Sequence, residues 1–145
     1  VQAIIVGRGV LRSEIKNLIK KYNLEKNVLL VGYQKNPFKF MRLADIFVLS
    51  STFEGHPNVL IEAQFLKKYI VSTNCPTGPR EILGNGKYGT LFKVGDYKKL
   101  SKILIKFKKN KKIQKKINDA FKTLKIYDYN KNCKLYYDVI RLHLN

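Results

Sequence analysis

Four short apolar runs punctuate this chain: Ala3-Ile4-Ile5-Val6, Val28-Leu29-Leu30-Val31, Ile46-Phe47-Val48-Leu49 and Tyr69-Ile70-Val71-Ser72. Each is too short for a helix, and the apolar residues run on without alternating with polar ones. That pattern marks strands covered on both faces, which a parallel sheet between two layers of helices provides. The segments between them supply the helices. Leu11, Ile15, Leu18, Ile19 and Tyr22 recur at helical spacing, Pro37 opens a brief helix through Phe40, Met41 and Leu43, and Val59, Leu60, Ala63 and Leu66 form a third stripe. A short helical turn at residues 80–83 precedes Gly84-Asn85-Gly86, and Thr90-Leu91-Phe92 reads as a fifth strand at a sheet edge. The order predicts an α/β chain of Rossmann-like type, a parallel sheet with helices on both faces.

From Asp96 onward only helix is signalled. Asp96 is placed as an N-cap, with Leu100, Ile103, Leu104 and Phe107 as the stripe turned inward. Ile113, Ile117, Ala120, Phe121 and Leu124 follow, and a last helix carries Leu135, Tyr136, Val139 and Ile140. With no internal repeat and no low-complexity linker, residues 1–145 read as a single domain, and 45% hydrophobic content is enough to build its core.

Parallel sheets bind ligands beyond the carboxyl ends of their strands. The loops there are Gly7-Arg8-Gly9, Gly32-Tyr33, residues 50–58 and residues 74–78. The most pointed chemistry lies at residues 53–63, FEGHPNVLIEA. Pro57 suits the first helical position, where a missing N–H costs nothing, and Gly55 lets the backbone turn before it. Glu54 then stands in the loop and Glu62 more than a turn inside the helix. Between them lie free amides at the positive end of a helix dipole, a natural seat for an anion. A carboxylate on each side can take hydroxyls. The arrangement reads as a sugar-nucleotide site.

These motifs resemble the C-terminal, donor-binding domain of family-four retaining glycosyltransferases, which have the two-domain GT-B fold. The carriers are Glu54…Glu62 within FEGHPNVLIEA, the preceding LADIFVLSS, CPTGPREIL at 75–83, VGRG at 6–9 and YGTLFKVGD at 88–96. The resemblance implies that Glu54 is catalytic and holds hydroxyls of the donor sugar, while Glu62 binds the ribose. Backbone amides of Gly55, His56, Asn58 and Val59 would meet sugar and diphosphate, and the base would stack at Gly32, Tyr33 and Gln34. Gly7 completes the implied donor-binding set. The physics agrees: ionised acceptors bind about twice as strongly as neutral ones. Amides aimed at a leaving diphosphate stabilise the charge that grows as the glycosidic bond breaks.

The implied donor carries a hexose or N-acetylhexosamine on a nucleoside diphosphate, with uridine favoured by the CPTGPREIL variant, and the acceptor is a lipid-linked or envelope glycan. No metal or other cofactor is implied, the nucleotide sugar being a substrate. The family's earlier strand-turn-helix, with its Arg and Lys for the diphosphate, has no match here, and neither has the N-terminal acceptor domain. The chain opens directly into a strand without an initiating Met, as a piece of something longer would. If the family's strand order holds, the absent strand is central, and its neighbours must close up or keep open edges. This chain alone is therefore expected to bind donor weakly or not at all, and to transfer nothing.

Other readings of the same residues are weaker. Two carboxylates invite a glycosidase, but Glu62 projects from the body of a helix beside an anion seat and no water-activating partner is evident. Taken alone, Glu62 could be a helix-surface charge, and Glu54 a loop carboxylate favoured by the dipole. His56 is either a placeholder in the turn or a donor-facing side chain, and His143 a surface residue. Arg80-Glu81 is either a local ion pair or a donor contact. The Gly7-Arg8-Gly9 turn lacks the third glycine and the later acid of a dinucleotide fingerprint. Cys75 and Cys133 match no metal spacing and read as reduced thiols of a cytoplasmic protein.

The formal net charge of +19 is carried mostly by lysine, crowded into residues 98–134. It reads first as solvated helix faces, then as peripheral attraction to an anionic membrane at the inner face. Aromatics fall on core stripes and are not interleaved with basic residues, which disfavours nucleic acid. No apolar run approaches membrane-spanning length, and the start lacks the basic n-region of a signal peptide. A polyanion-binding module and a GT-B nucleotide-sugar epimerase are the competing functions.

Overall fold

The computed structural model describes residues 1–144. Five parallel strands alternate with helices: β1 (Ala3–Val6), α1 (Arg12–Lys21), β2 (Val28–Gly32), α2 (Phe38–Leu43), β3 (Ile46–Leu49), α3 (Asn58–Phe65), β4 (Tyr69–Thr73), α4 (Pro79–Ile82) and β5 (Thr90–Phe92). Three helices follow, α5 (Tyr97–Lys106), α6 (Lys111–Thr123) and α7 (Tyr129–His143), with a short 3-10 turn at Leu124–Tyr127 before the last. Each is started by a side chain that takes an otherwise unpartnered amide. Asp96 Oδ1 accepts from Lys99 N (2.8 Å), Asn110 Oδ1 from Ile113 N (3.0 Å) and Asp128 Oδ1 from Lys131 N (2.8 Å). The expected cap at Asp96 is present.

The core is built on β4, buried along its whole length. Because successive strand residues face opposite sides, Ile70 joins Met41, Leu60, Ala63, Ile82 and Leu83, whereas Tyr69 and Val71 join Phe92 and Ile117. Helices α3 and α4 thus cover one face of β4, and α6 the other. β5 is an edge strand, as its brevity suggested. The stripe Leu100, Ile103, Leu104 and Phe107 lies half-buried, α5 resting on the rim of the second cluster.

The parallel strands fall into two sheets, the open-edged outcome of the two that a missing central strand allows. β1 and β2 pair only with each other, and β3, β4 and β5 form a separate sheet, so one edge of β1 and one of β3 have no strand partner among the described residues. The strands beside the implied central gap keep open edges. Every residue of β1 is exposed despite its apolar sequence. β1 has a strand along one edge only, and its faces are left largely uncovered by the described residues. The last helix departs likewise: Leu135, Tyr136, Val139 and Ile140 are all more than half exposed. Their helical spacing is real, but nothing in these residues covers it.

Stability should therefore be unevenly distributed. Leu60→Ala, at a fully buried position, is expected to cost about 2–5 kcal/mol in urea unfolding. Leu29→Ala, on the exposed side of β2, is expected to cost less than about 1 kcal/mol. Equal losses would contradict this division of the core.

Candidate functional site

The site is made by two loops that lock onto one turn. β3 ends at Leu49, and the following segment is tied sideways to the end of β4: Thr73 Oγ1 donates to Ser51 O at 2.6 Å. Ser51 in turn fixes the first carboxylate, its hydroxyl donating to Glu54 Oε1 at 2.6 Å. From the loop after β4, Thr77 Oγ1 donates to the carbonyl of Glu54. Gly78 lies directly against the same turn. It sits at φ +83°, and a Cβ there would come within 2.5 Å of Gly55 O and collide with the Pro57 ring. Only glycine allows that approach.

Pro57, buried, is the N-cap of α3 with ψ 90°, and Asn58 is the first helical residue. This moves the helix start one position beyond the sequence expectation. The extended ψ of Pro57 holds it outside the helix, while its carbonyl accepts from Leu60 N at 2.9 Å. No side chain caps this end. Among the described residues, the amides of Gly55, His56, Asn58 and Val59 meet no protein acceptor. A row of unpartnered N–H groups at a helix start is an anion-binding arrangement.

Glu62 lies one turn along α3 on the same side as Asn58, away from the buried residues Leu60, Ala63 and Gln64. It is half-buried and makes no ion pair among the described residues. Glu54 is also half-buried, held by Ser51. His56 is exposed, with Nδ1 3.4 Å from Asn58 Oδ1 and its ring 6.0 Å from that of Tyr127. Arg80 is used locally, Nε donating to Asn74 Oδ1 at 3.1 Å, and makes no ion pair with Glu81.

The remaining candidates form a second group. Gly7 and Gly32 both adopt positive φ (+131° and +70°), and Gly7 N donates to Gly32 O at 2.8 Å, joining the first two loops. Tyr33 is exposed, with the Arg8 guanidinium 4.6 Å above its ring. The four loops thus come as two linked pairs, and no hydrogen bond joins one pair to the other among the described residues. Ser51, Thr77 and Arg8 were not singled out from sequence. Small hydroxylated residues in loops are common, and only the fold shows which of them reach a carboxylate or a carbonyl.

Known proteins of similar sequence and structure identify the family. The family described as glycosyl transferases group 1 matches residues 1–123, and the chain belongs to that family. It is 36% identical, over 90% of its length and 39% of the relative's, to an uncharacterized glycosyltransferase of Methanocaldococcus jannaschii. It is 37% identical, over 83% of its length and 33% of the relative's, to a Campylobacter jejuni enzyme, N-acetylgalactosamine-N,N'-diacetylbacillosaminyl-diphospho-undecaprenol 4-alpha-N-acetylgalactosaminyltransferase. Among solved structures, S. aureus TarM superposes with TM-score 0.83 at 25% identity, covering 95% of this chain and 28% of that one. Anabaena HepE in complex with UDP-glucose superposes with TM-score 0.86 at 21% identity, covering 97% and 41%. The fold is that of the C-terminal half of GT-B transferases. The chain spans 39% and 33% of the length of these two curated relatives.

The contact at Gly78 is directly testable. Gly78→Ala forces a Cβ into the turn at a positive φ, and is expected to destabilise by more than about 1 kcal/mol. Gly9→Ala, with open space at its Cβ position, is the control and should cost less than about 0.5 kcal/mol. Denaturant unfolding of both variants checks this.

Proposed function

We propose that this chain is the donor-binding part of a retaining glycosyltransferase. It takes a hexose or N-acetylhexosamine from a UDP-linked donor for transfer to a lipid-linked or cell-envelope glycan. The observation that carries the reading is the start of α3: unpartnered amides from Gly55 to Val59, a carboxylate fixed before them at Glu54 and another one turn along at Glu62. The diphosphate sits on the amides, which gain strength as negative charge develops on the leaving group. Ser51 occupies one oxygen of Glu54, leaving the other for a sugar hydroxyl near the reacting carbon. Glu62 takes the ribose. Tyr33, with Arg8 on its ring, lies with Gly32 and Gly7 in the loops that receive the base. HepE, whose structures contain UDP and UDP-glucose, supports the donor class. The name of the C. jejuni relative, with its diphospho-undecaprenol acceptor, supports the acceptor class. Retention is the course of the family-four enzymes that the motifs resemble.

In this reading the amides meet the diphosphate charge and no metal is required. The acceptor-binding half is supplied outside these residues, so the 145-residue chain alone transfers no sugar. Calorimetric titration of UDP-glucose into the full protein tests the donor site. Glu54→Gln and Glu62→Gln are each expected to weaken binding about 10- to 100-fold with an unchanged fold, and EDTA to leave it unaltered. Native affinity in both variants would remove the reading.

The lysines of α5 and α6 support a peripheral, cytoplasmic position at an anionic bilayer. Lys98, Lys99, Lys102, Lys111, Lys112 and Lys115 are all exposed. Sedimentation with phosphatidylserine vesicles should fall steeply as salt rises from low to high, whereas uncharged phosphatidylcholine vesicles should retain none of the protein. Equal binding to both would contradict it.

A further inference from the structure

The turn that presents the amides is braced from one side by Thr77 and Gly78. A residue that no motif marks also reaches this turn. We propose that Tyr127, on the 3-10 turn between α6 and α7, is a positioning residue for the donor site, acting through His56. The inference rests on the donor-site reading of the α3 start.

Tyr127 is half-buried, whereas its neighbours Ile126 and Tyr129 are 60% and 79% exposed. With Leu124 it is one of two bulky side chains of the 3-10 turn that are drawn inward. Its ring meets that of His56 edge-on, centroids 6.0 Å apart and planes at 66°, the geometry that aromatic pairs prefer. His56 in turn lies 3.4 Å from the Asn58 side chain. These two residues flank Pro57 and carry two of the amides in the row. The contact therefore reaches the turn at the point where its backbone leaves the loop and enters the helix.

Burial, and secondarily the Glu81 carboxylate, raise the Tyr127 hydroxyl above the ordinary phenol range. Tyr127 thus touches the turn through His56. Without it, the turn keeps its ties to Ser51, Thr77 and Gly78, but the His56 side chain is held only by a long contact to Asn58. An exposed histidine in a glycine-containing turn samples several rotamers, and some of these carry its ring toward the amide row.

The test is a mutant cycle read by UDP-glucose titration of the full protein, with the His56 imidazole followed by NMR. Tyr127→Leu is expected to weaken binding roughly three- to tenfold and to move the His56 ring resonances. Tyr127→Phe keeps the ring edge and should restore both. In a His56→Ala background, Tyr127→Leu should cost nothing further. If Tyr127→Leu binds like the native protein while Glu54→Gln does not, the proposal is overturned and the donor site stands. An undiminished Tyr127→Leu penalty in the His56→Ala background also overturns it. Native binding by Glu54→Gln and Glu62→Gln removes the donor site and the proposal together.

Discussion

Everything at the site depends on how tightly residues 54–57 are held between the ends of two adjacent parallel strands. Ser51 and Thr73 stitch the end of β3 to the end of β4, and Thr77 and Gly78 close over the turn that follows. The parallel pairing of β3 with β4, in register from Ile46 with Tyr69 to Leu49 with Ser72, brings these loops to the same end of the sheet. The packing beneath is as close as any in the chain, since Leu60, Ile70 and Leu83 are fully buried just behind α3. A row of free amides is useful for catalysis only if its geometry survives without the ligand, because preorganisation spares reorganisation at the moment of reaction. Here the backbone is held by hydroxyl groups and by a glycine contact, which cost no charge burial.

The charge distribution separates the site from the lysine-rich helices. Ion pairs on the helical part are exposed: Lys115 with Asp119 at 2.7 Å, and Lys109 with Asp45 at 2.5 Å, the latter holding the Asp45 carboxyl below its usual range. Pairs of this kind contribute little to stability. Lys116 is different. Its amine, half-buried, donates to the carbonyls of Gly86 and Gly89 at 2.7 Å each, and burial lowers its affinity for a proton. It organises the loop before β5, while most of the lysine excess remains in solvent. The charge is therefore a property of the surface, and the site is built from neutral donors and two carboxylates.

Much of this was legible in the residues. The β-α alternation, the cap at Asp96 and the edge position of β5 follow from local patterns, since short apolar runs and capping side chains act over a few residues. The start of α3 was misplaced by one residue because proline suits both an N-cap and a first helical position, and only ψ separates them. Burial of β1 and of the α7 stripe was not legible. An apolar pattern says that a face is to be covered and is silent on what covers it; here β1 has one neighbour and α7 has solvent. At the site, Glu54 and Glu62 announce themselves by spacing, whereas Ser51, Thr77 and Tyr127 act across three-dimensional contacts that no sequence interval encodes.

The central claim is that an activated sugar's diphosphate rests on the amides that open α3. Titration of 15N-labelled full protein with UDP-glucose, followed by amide resonances, measures this directly. The largest displacements are expected on Gly55, His56, Asn58 and Val59, with smaller ones at Gly32 and Tyr33. Displacements confined to the lysine-bearing helices α5 and α6, with the α3 start unmoved, would contradict it.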